Sequence, residues 1–249
     1  GEIVRPLLIV KTGTSLPELV SRLGDFEDWI LEGMGPGRAP VAVCRVDAGE
    51  PLPAADAVAG VVVTGSPAMV SHRLSWSERT AAWLAEVVAL SVPVVGICFG
   101  HQLLAHAFGA PVGPNPRGRE MGTVAFRPTA AAQADPLLAL LPGEVALQAT
   151  HVEAVLEPPP GAVVLGSTDR DPCHAFRVAD RPAWGLQFHP ELSAEGLRAY
   201  VEARRDVLRA EGRDPEAILA SIEDTPWGTA ILRRFRRLVD EHAGGGAGG

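Results

Sequence analysis

The sequence predicts an α/β fold: an open, mostly parallel, twisted sheet with flanking helices, an antiparallel extension and helices at the C-terminal end. Three observations carry this. Over the first hundred residues, short runs rich in β-branched residues alternate with longer segments of helical period, the pattern of parallel strands joined by crossover helices. The early runs are continuously apolar rather than alternating, as in strands covered on both faces. From about Val112 to Phe188 the chain breaks into shorter pieces separated by Pro and Gly, and from Ser193 the period is helical again.

In chain order, Leu7 to Val10, Val41 to Val46, Val58 to Thr64 and Val92 to Ile97 are expected as buried strands at the sheet's centre. Ser75-Trp76-Ser77-Glu78 has the form of a capping box, and Trp83, Leu84, Val87 and Val88 follow at helical spacing. A helix from about Trp76 to Leu90 results. The tract 112–188, with loops such as Glu157-Pro158-Pro159-Pro160-Gly161, is the antiparallel extension. The helical region from Ser193 to His242 breaks near Gly212-Arg213-Asp214-Pro215 and restarts at Thr225-Pro226, a cap followed by an N1 proline. Residues 1–243 are expected to form one domain, with 193–243 a helical C-terminal extension. Gly1 looks like a trimmed or engineered start, and 244–249 like a disordered Gly-rich tail.

Composition narrows the function. A chain of 249 residues with 47% hydrophobic residues can bury one sizeable core. Thirty acidic against 22 basic residues give a formal net charge of -8, which provides no general positive field for nucleic acid or anionic lipid. The cluster Arg233, Arg234, Arg236 and Arg237 reads as a solvated helix face. No apolar run approaches the ~18 residues of a membrane span, and the start lacks the layout of a signal peptide, so a cytoplasmic protein is expected. Cys44, Cys98 and Cys173 are too few and too scattered for a disulfide framework or a paired metal-ligand array, and at least one must be a free thiol.

The strongest local signal is Pro93-Val94-Val95-Gly96-Ile97-Cys98-Phe99-Gly100-His101-Gln102-Leu103-Leu104. It has the form of a nucleophile elbow, in which glycines two residues either side of the nucleophile let strand and helix approach closely through a strained turn. At the first turn of a helix, the macrodipole and free amides favour thiolate over thiol. Cys44 lies within the apolar run Val41-Ala42-Val43-Cys44-Arg45-Val46 and reads as core. Cys173 and His174 are neighbours on a strand, so they face opposite ways and make a poor dyad.

A thiol nucleophile needs a base, and the base needs a group to fix its tautomer. Trp184-Gly185-Leu186-Gln187-Phe188-His189-Pro190-Glu191 supplies both. Pro190 biases His189 toward an extended conformation, which places Glu191 on the same side as the imidazole. The order is then Cys98, His189, Glu191. His151 and Glu153 have the same spacing without the proline, and could be either a surface pair or part of a substrate pocket. The remaining histidines, His72, His101, His106, His174 and His242, lack such a carboxylate or a ligand array and are expected in structural or surface roles. No metal or cofactor is implied. Acyl chemistry also needs an oxyanion site. The amide of Phe99 offers one donor, and the turn Thr64-Gly65-Ser66-Pro67, at the end of a neighbouring strand, offers a second.

Taken together, these residues resemble the class I, or trpG-type, glutamine amidotransferases, and especially stand-alone proteins similar to the amidotransferase domain of GMP synthase. The resemblance spans most of the chain: Thr64-Gly65-Ser66-Pro67, Gly96-Ile97-Cys98-Phe99-Gly100-His101-Gln102, Gly118-Arg119-Glu120-Met121-Gly122 and Gln187-Phe188-His189-Pro190-Glu191. It implies the flavodoxin-like fold of that family, a Cys98-His189-Glu191 triad and a γ-glutamyl thioester. Glutamine would be the substrate, Gly65, Gln102 and His151 pocket residues, and a separate synthetase the recipient of the ammonia. It also places the Thr150-His151-Val152-Glu153 turn over the pocket. Family members often carry Gly-Gly-Pro where this chain has Gly65-Ser66-Pro67, so the second oxyanion donor is expected to be the Ser66 amide. Two alternatives share these residues or this scaffold: a hydrolase of another γ-glutamyl amide, and a non-catalytic glutamine-binding module. An α/β-hydrolase shares the elbow, but there the acid usually precedes the histidine.

Overall fold

The computed structural model describes residues 4–246, so Gly1 and 247–249 lie outside the described residues. A nine-stranded sheet forms the frame. Its strands are β1 (Leu7–Lys11), β2 (Val41–Arg45), β3 (Gly60–Val63), β4 (Val94–Ile97), β6 (Glu120–Pro128), β7 (Val145–His151), β9 (Val163–Thr168), β10 (Asp171–Arg177) and β11 (Ala183–Leu186). They lie in the order β2-β1-β3-β4-β11-β10-β9-β6-β7. The first five are mutually parallel and the remainder antiparallel, so the change in hydrophobic pattern predicts the arrangement of all but β11. Two short strands, β5 (Val112–Pro114) and β8 (Glu153–Val155), pair separately.

Two corrections concern the strands. The apolar run from Val41 becomes β2 at the sheet's edge, not its centre, with Val43 exposed. A run of β-branched residues is equally compatible with an edge strand, because propensity reports a pleated surface and not the number of neighbours. In addition, β11 returns from the antiparallel region to pair in parallel with β4. That return makes the site possible.

Helices α1 (Pro17–Leu23), α2 (Phe26–Met34), α3 (Ser75–Ala89) and α4 (Phe99–Ala107) flank the parallel part. The span of α3 agrees with expectation, but its cap does not. Leu74 occupies the N-cap without a side-chain bond, and Ser75 is already helical. The Glu78 carboxylate instead meets His106 Nε2 at 2.9 Å, so it is spent on a tertiary contact. The C-terminal helices are α5 (Ala194–Ala203), α6 (Arg205–Ala210), α7 (Pro215–Ser221) and α8 (Pro226–Gly246). The expected break falls where Asp214 caps α7 through the amides of Glu216 and Ala217. Among the described residues no helix is long and apolar enough to cross a membrane.

Helix α8 is no appendage. Ile231, Leu232, Phe235 and Val239 are fully buried in the same cluster as Leu7, Ile9, Val62 and Ile97, so α8 covers one face of the sheet alongside α2. The other face is covered by α3 and α4, through Trp83, Leu84, Val87, Leu103 and Leu104. Arg236, expected on a solvated face, is buried, and its Nη2 donates to the Ala39 carbonyl at 2.7 Å. Gly244 to Gly246, expected in a disordered tail, continue α8, since each added helical residue extends an existing ladder without a new nucleus. Phe235→Ala should therefore lower the unfolding free energy by about 3–5 kcal/mol, the range for emptying a fully buried aromatic site. Urea denaturation measures it, and a loss below about 1 kcal/mol would show that α8 is dispensable to the core.

Candidate active site

Strands β3, β4 and β11 are adjacent and parallel, so the segments after their carboxyl ends emerge on one rim, where open α/β sheets hold ligands. Those segments are Thr64 to Pro67, Cys98 at the head of α4, and Gln187 to Glu191. The three expected pieces thus meet.

The elbow is strained as the glycine spacing requires. Cys98 has φ 55° and ψ −104°, a conformation L-residues rarely hold without surrounding constraint. A Cβ on Gly96 would lie 2.2 Å from the Gly100 carbonyl oxygen, and one on Gly100 would lie 2.6 Å from that of Val63. Only glycine lets α4 sit this close to β4 and β3. The Cys98 amide donates to the Leu186 carbonyl at 2.8 Å, which ties the turn to β11.

His189 is buried at 3% exposure, and its Nδ1 meets Glu191 Oε2 at 2.9 Å. Its amide donates to the Gln148 carbonyl at 2.8 Å, and Phe26 stacks on the ring at 6.2 Å between centroids and 18° between planes. With Nδ1 committed to the carboxylate, Nε2 is the ring nitrogen left for the thiol. The electrostatics agree. Burial pushes the Cys98 thiol up, but the charge of His189, a hydrogen bond with it and the charge of His151 outweigh this and lower the thiol below its usual range. Burial likewise works against the His189 imidazolium, yet Glu191 and Cys98 hold it well above the usual histidine range. Both shifts favour a thiolate beside an imidazolium.

A cavity of about 360 Å³ opens over Cys98, a size that suits a small ligand. Its walls include Ser66, Phe99, Gln102, His189 and the Thr150-His151-Val152-Glu153 turn. Sequence reasoning missed the opposite wall: Thr14, Ser15, Leu16, Pro17, Phe26, Tyr200 and Arg204. Ser15 Oγ meets Tyr200 Oη at 2.5 Å, which joins the loop after β1 to α5. A buried cluster, Lys11 Nζ with Asp25 at 2.8 Å and Glu27 at 2.6 Å, anchors that loop, because Asp25 also accepts from the Ser15 amide at 2.9 Å. No local motif signals it, since it joins the end of β1 to the start of α2, more than a dozen residues away.

Both oxyanion candidates line the cavity. Phe99 opens α4, where a helix amide has no intrahelical acceptor. The Ser66 hydroxyl donates to the Thr12 carbonyl at 2.7 Å and accepts from the Ala68 amide at 3.0 Å, which rigidifies the turn bearing the Ser66 amide. Gly65 does not form the wall. It lies under His189, where an added Cβ would come within 3.0 Å of Cε1. Gln102 lines the cavity, but its Nε2 is used internally, on the Glu153 carbonyl at 2.9 Å and Gln187 Oε1 at 3.1 Å.

His151 departs most from expectation. Its acid is Glu120, not Glu153: Nε2 meets Glu120 Oε1 at 2.9 Å, and Nδ1 meets the Glu153 backbone carbonyl at 2.7 Å. The Glu153 carboxylate instead accepts from the Ser71 hydroxyl at 2.5 Å. His174 also has a carboxylate after all, with Nε2 2.7 Å from Glu120 Oε1. Glu120, His151 and His174 thus converge with their donor atoms within 4.8 Å of one another, a set whose chemistry could also suit a divalent cation. The other thiols are shifted the opposite way. Burial pushes Cys173 up to about 12, and burial with nearby Glu50 raises Cys44.

The sequence pattern described as glutamine amidotransferase class-I matches residues 23–203. The chain is a member of the class I glutamine amidotransferase family. It is similar to a glutamine-hydrolyzing GMP synthase of Aeropyrum pernix, with 35% identity over 189 residues, covering 75% of this chain and 33% of the relative. It is similar also to one subunit of a glutamine-hydrolyzing GMP synthase from Archaeoglobus fulgidus, with 32% identity over 145 residues, covering 57% of this chain and 73% of that subunit. The chain thus spans about a third of the Aeropyrum relative's length. Among solved structures, a glutamine amidotransferase from Methylobacillus flagellatus matches with a TM-score of 0.70 and 26% identity, over 96% of this chain and 94% of that one. A Thermotoga maritima glutamine amidotransferase, at 19% identity and a TM-score of 0.71 over 97% of this chain and 100% of that one, shares the fold.

Proposed function

We propose that the protein hydrolyses the side-chain amide of glutamine and releases ammonia for transfer to an acceptor. The observation that supports this most directly is Cys98 in a strained elbow, beside His189 held by Glu191, at the floor of a cavity suited to a small ligand. The Cys98 thiolate attacks the amide carbon, and the carbonyl electrons move onto oxygen, facing the Ser66 and Phe99 amides. His189 gives its proton to the leaving nitrogen as the tetrahedral adduct collapses to a γ-glutamyl thioester and ammonia. It then takes a proton from water, which adds to the thioester. A second collapse expels the Cys98 thiolate and leaves glutamate. Glu191 carries no proton in this sequence; it fixes the ring and stabilises the imidazolium. Because the working thiolate stays reduced, a cytoplasmic setting suits it.

The ammonia acceptor would be activated by a separate synthetase. The Archaeoglobus relative is named as one subunit of its enzyme, which supports a two-chain arrangement here. Purified chain should hydrolyse glutamine slowly alone and faster when the cognate synthetase docks, since partner binding can order a catalytic site. The assay is ammonia release from glutamine, with and without synthetases of the same genome, beside a panel of γ-glutamyl amines. Fast, partner-independent hydrolysis of a γ-glutamyl amine, with glutamine a poor substrate, would replace this function with that of a γ-glutamyl amide hydrolase.

A further inference from the structure

The cluster behind the site, Glu120 with His151 and His174, is buried, and none of its members moves a proton in the chemistry described above. Its hydrogen bonds fix its protonation. Glu120 Oε1 faces both histidine Nε2 atoms, and Oε2 accepts from the Thr168 hydroxyl at 2.6 Å, so the carboxylate has three donors. An ionised carboxylate accepts all three; a protonated one would have to give one up. His174 Nδ1 is buried without a partner, which assigns the ring's single proton to Nε2, against Glu120. His151 differs. Both its nitrogens face acceptors, a carboxylate on one side and a backbone carbonyl on the other. A neutral ring would set a bare lone pair against one of them, whereas an imidazolium donates to both.

His151 also lines the cavity that opens over Cys98. Cys98 Sγ lies 3.6 Å from the carbonyl oxygen of Thr150, the residue before His151. From the hydrogen-bond geometry we infer that His151 is a standing imidazolium, locked in that state by Glu120 and the Glu153 carbonyl, and serves as a second cation that stabilises the Cys98 thiolate. His151 is thus a positioning and electrostatic residue and does not move the proton. This rests on Cys98 being the nucleophile. Among the charged and titratable groups around that thiolate, His189 and His151 favour it and Glu191 opposes it; Tyr200, Arg119, Glu153 and Arg204 line the same cavity. The directions agree. Burial opposes charge on His151, but Glu120 raises it above the usual histidine range. Burial also pushes Glu120 up, but the hydrogen bonds of His151 and His174 hold it well below the usual carboxylate range.

The test is the pH dependence of alkylation by iodoacetamide in the full chain, with peptide mapping of the label. Glu120→Gln and His151→Gln should each move the Cys98 titration midpoint upward by about one unit. That makes alkylation roughly tenfold slower below the wild-type midpoint, and the rates should converge once the thiol is fully ionised. Convergence at high pH is the readout that a merely structural role would not give. An unchanged midpoint in both variants, or equal slowing at every pH, overturns the inference while leaving Cys98 as nucleophile. Label falling mainly on Cys44 or Cys173 sinks the nucleophile itself. Stoichiometric zinc in the purified chain also overturns the inference, because a metal bound at Nε2 excludes the second ring proton. Should Glu120→Gln fail to fold, His151→Gln decides.

Discussion

Cys98→Ser should lower kcat for glutamine hydrolysis by at least about a thousandfold while leaving the fold intact. The hydroxyl is nearly isosteric, and the amide that bonds Leu186 is unchanged, so the elbow keeps its conformation. What is lost is the anion. The surroundings that depress the thiol, chiefly the His189 charge acting against burial, cannot bring a serine hydroxyl within reach of neutral pH. Steady-state ammonia release measures the loss, with thermal unfolding as the control for folding. Retention of near wild-type turnover would remove Cys98 from the mechanism.

His189→Ala should be as damaging as Cys98→Ser, with Glu191→Gln retaining roughly ten- to a hundredfold more activity than either. In a catalytic unit of this kind the nucleophile and base are each indispensable, whereas the third member acts through the ring it holds. The pH profile should move too. Glu191 contributes to raising His189, so its neutralisation lowers the imidazolium's upper titration limit and weakens the ion pair with Cys98. Activity of Glu191→Gln should then fall off at lower pH than that of the wild type, as His189 loses its proton earlier. A silent Glu191→Gln beside a fully inactive Glu153→Gln would assign the orienting role to the wrong carboxylate.

The parts of this site visible in the sequence are those whose logic is local. Gly96 and Gly100 flank Cys98 at the spacing that a strand-turn-helix contact demands, and Pro190 sets His189 and Glu191 on one side of the chain. The parallel strands were legible for the same reason, since a strand covered on both faces must be continuously apolar. What was not legible depends on pairing at long range. Nothing near Val41 says that β2 has a neighbour on one side only. Nothing near His151 says that its acid is Glu120, which meets the ring because β6 and β7 pair antiparallel in the register that sets the two residues opposite each other. Ser75-Trp76-Ser77-Glu78 fits the capping pattern, but Glu78 serves His106 across the α3–α4 contact. Arg236 sits among more exposed arginines in the chain and is distinguished only by the carbonyl of Ala39, nearly two hundred residues away.

The seam between β4 and β11 has a consequence for the life of the newly made chain. Cys98 and His189 lie 91 positions apart, and each is set by a strand of that seam, which closes only when residues 183–186 fold back into the middle of the sheet. Long-range parallel pairing of this kind forms late and slowly. Until then Cys98 has no imidazolium beside it and titrates as an ordinary thiol, mostly protonated at neutral pH and slow to react with oxidants. Completing the sheet therefore arms the thiol, and a half-made or half-unfolded chain carries no activated cysteine to be oxidised or alkylated.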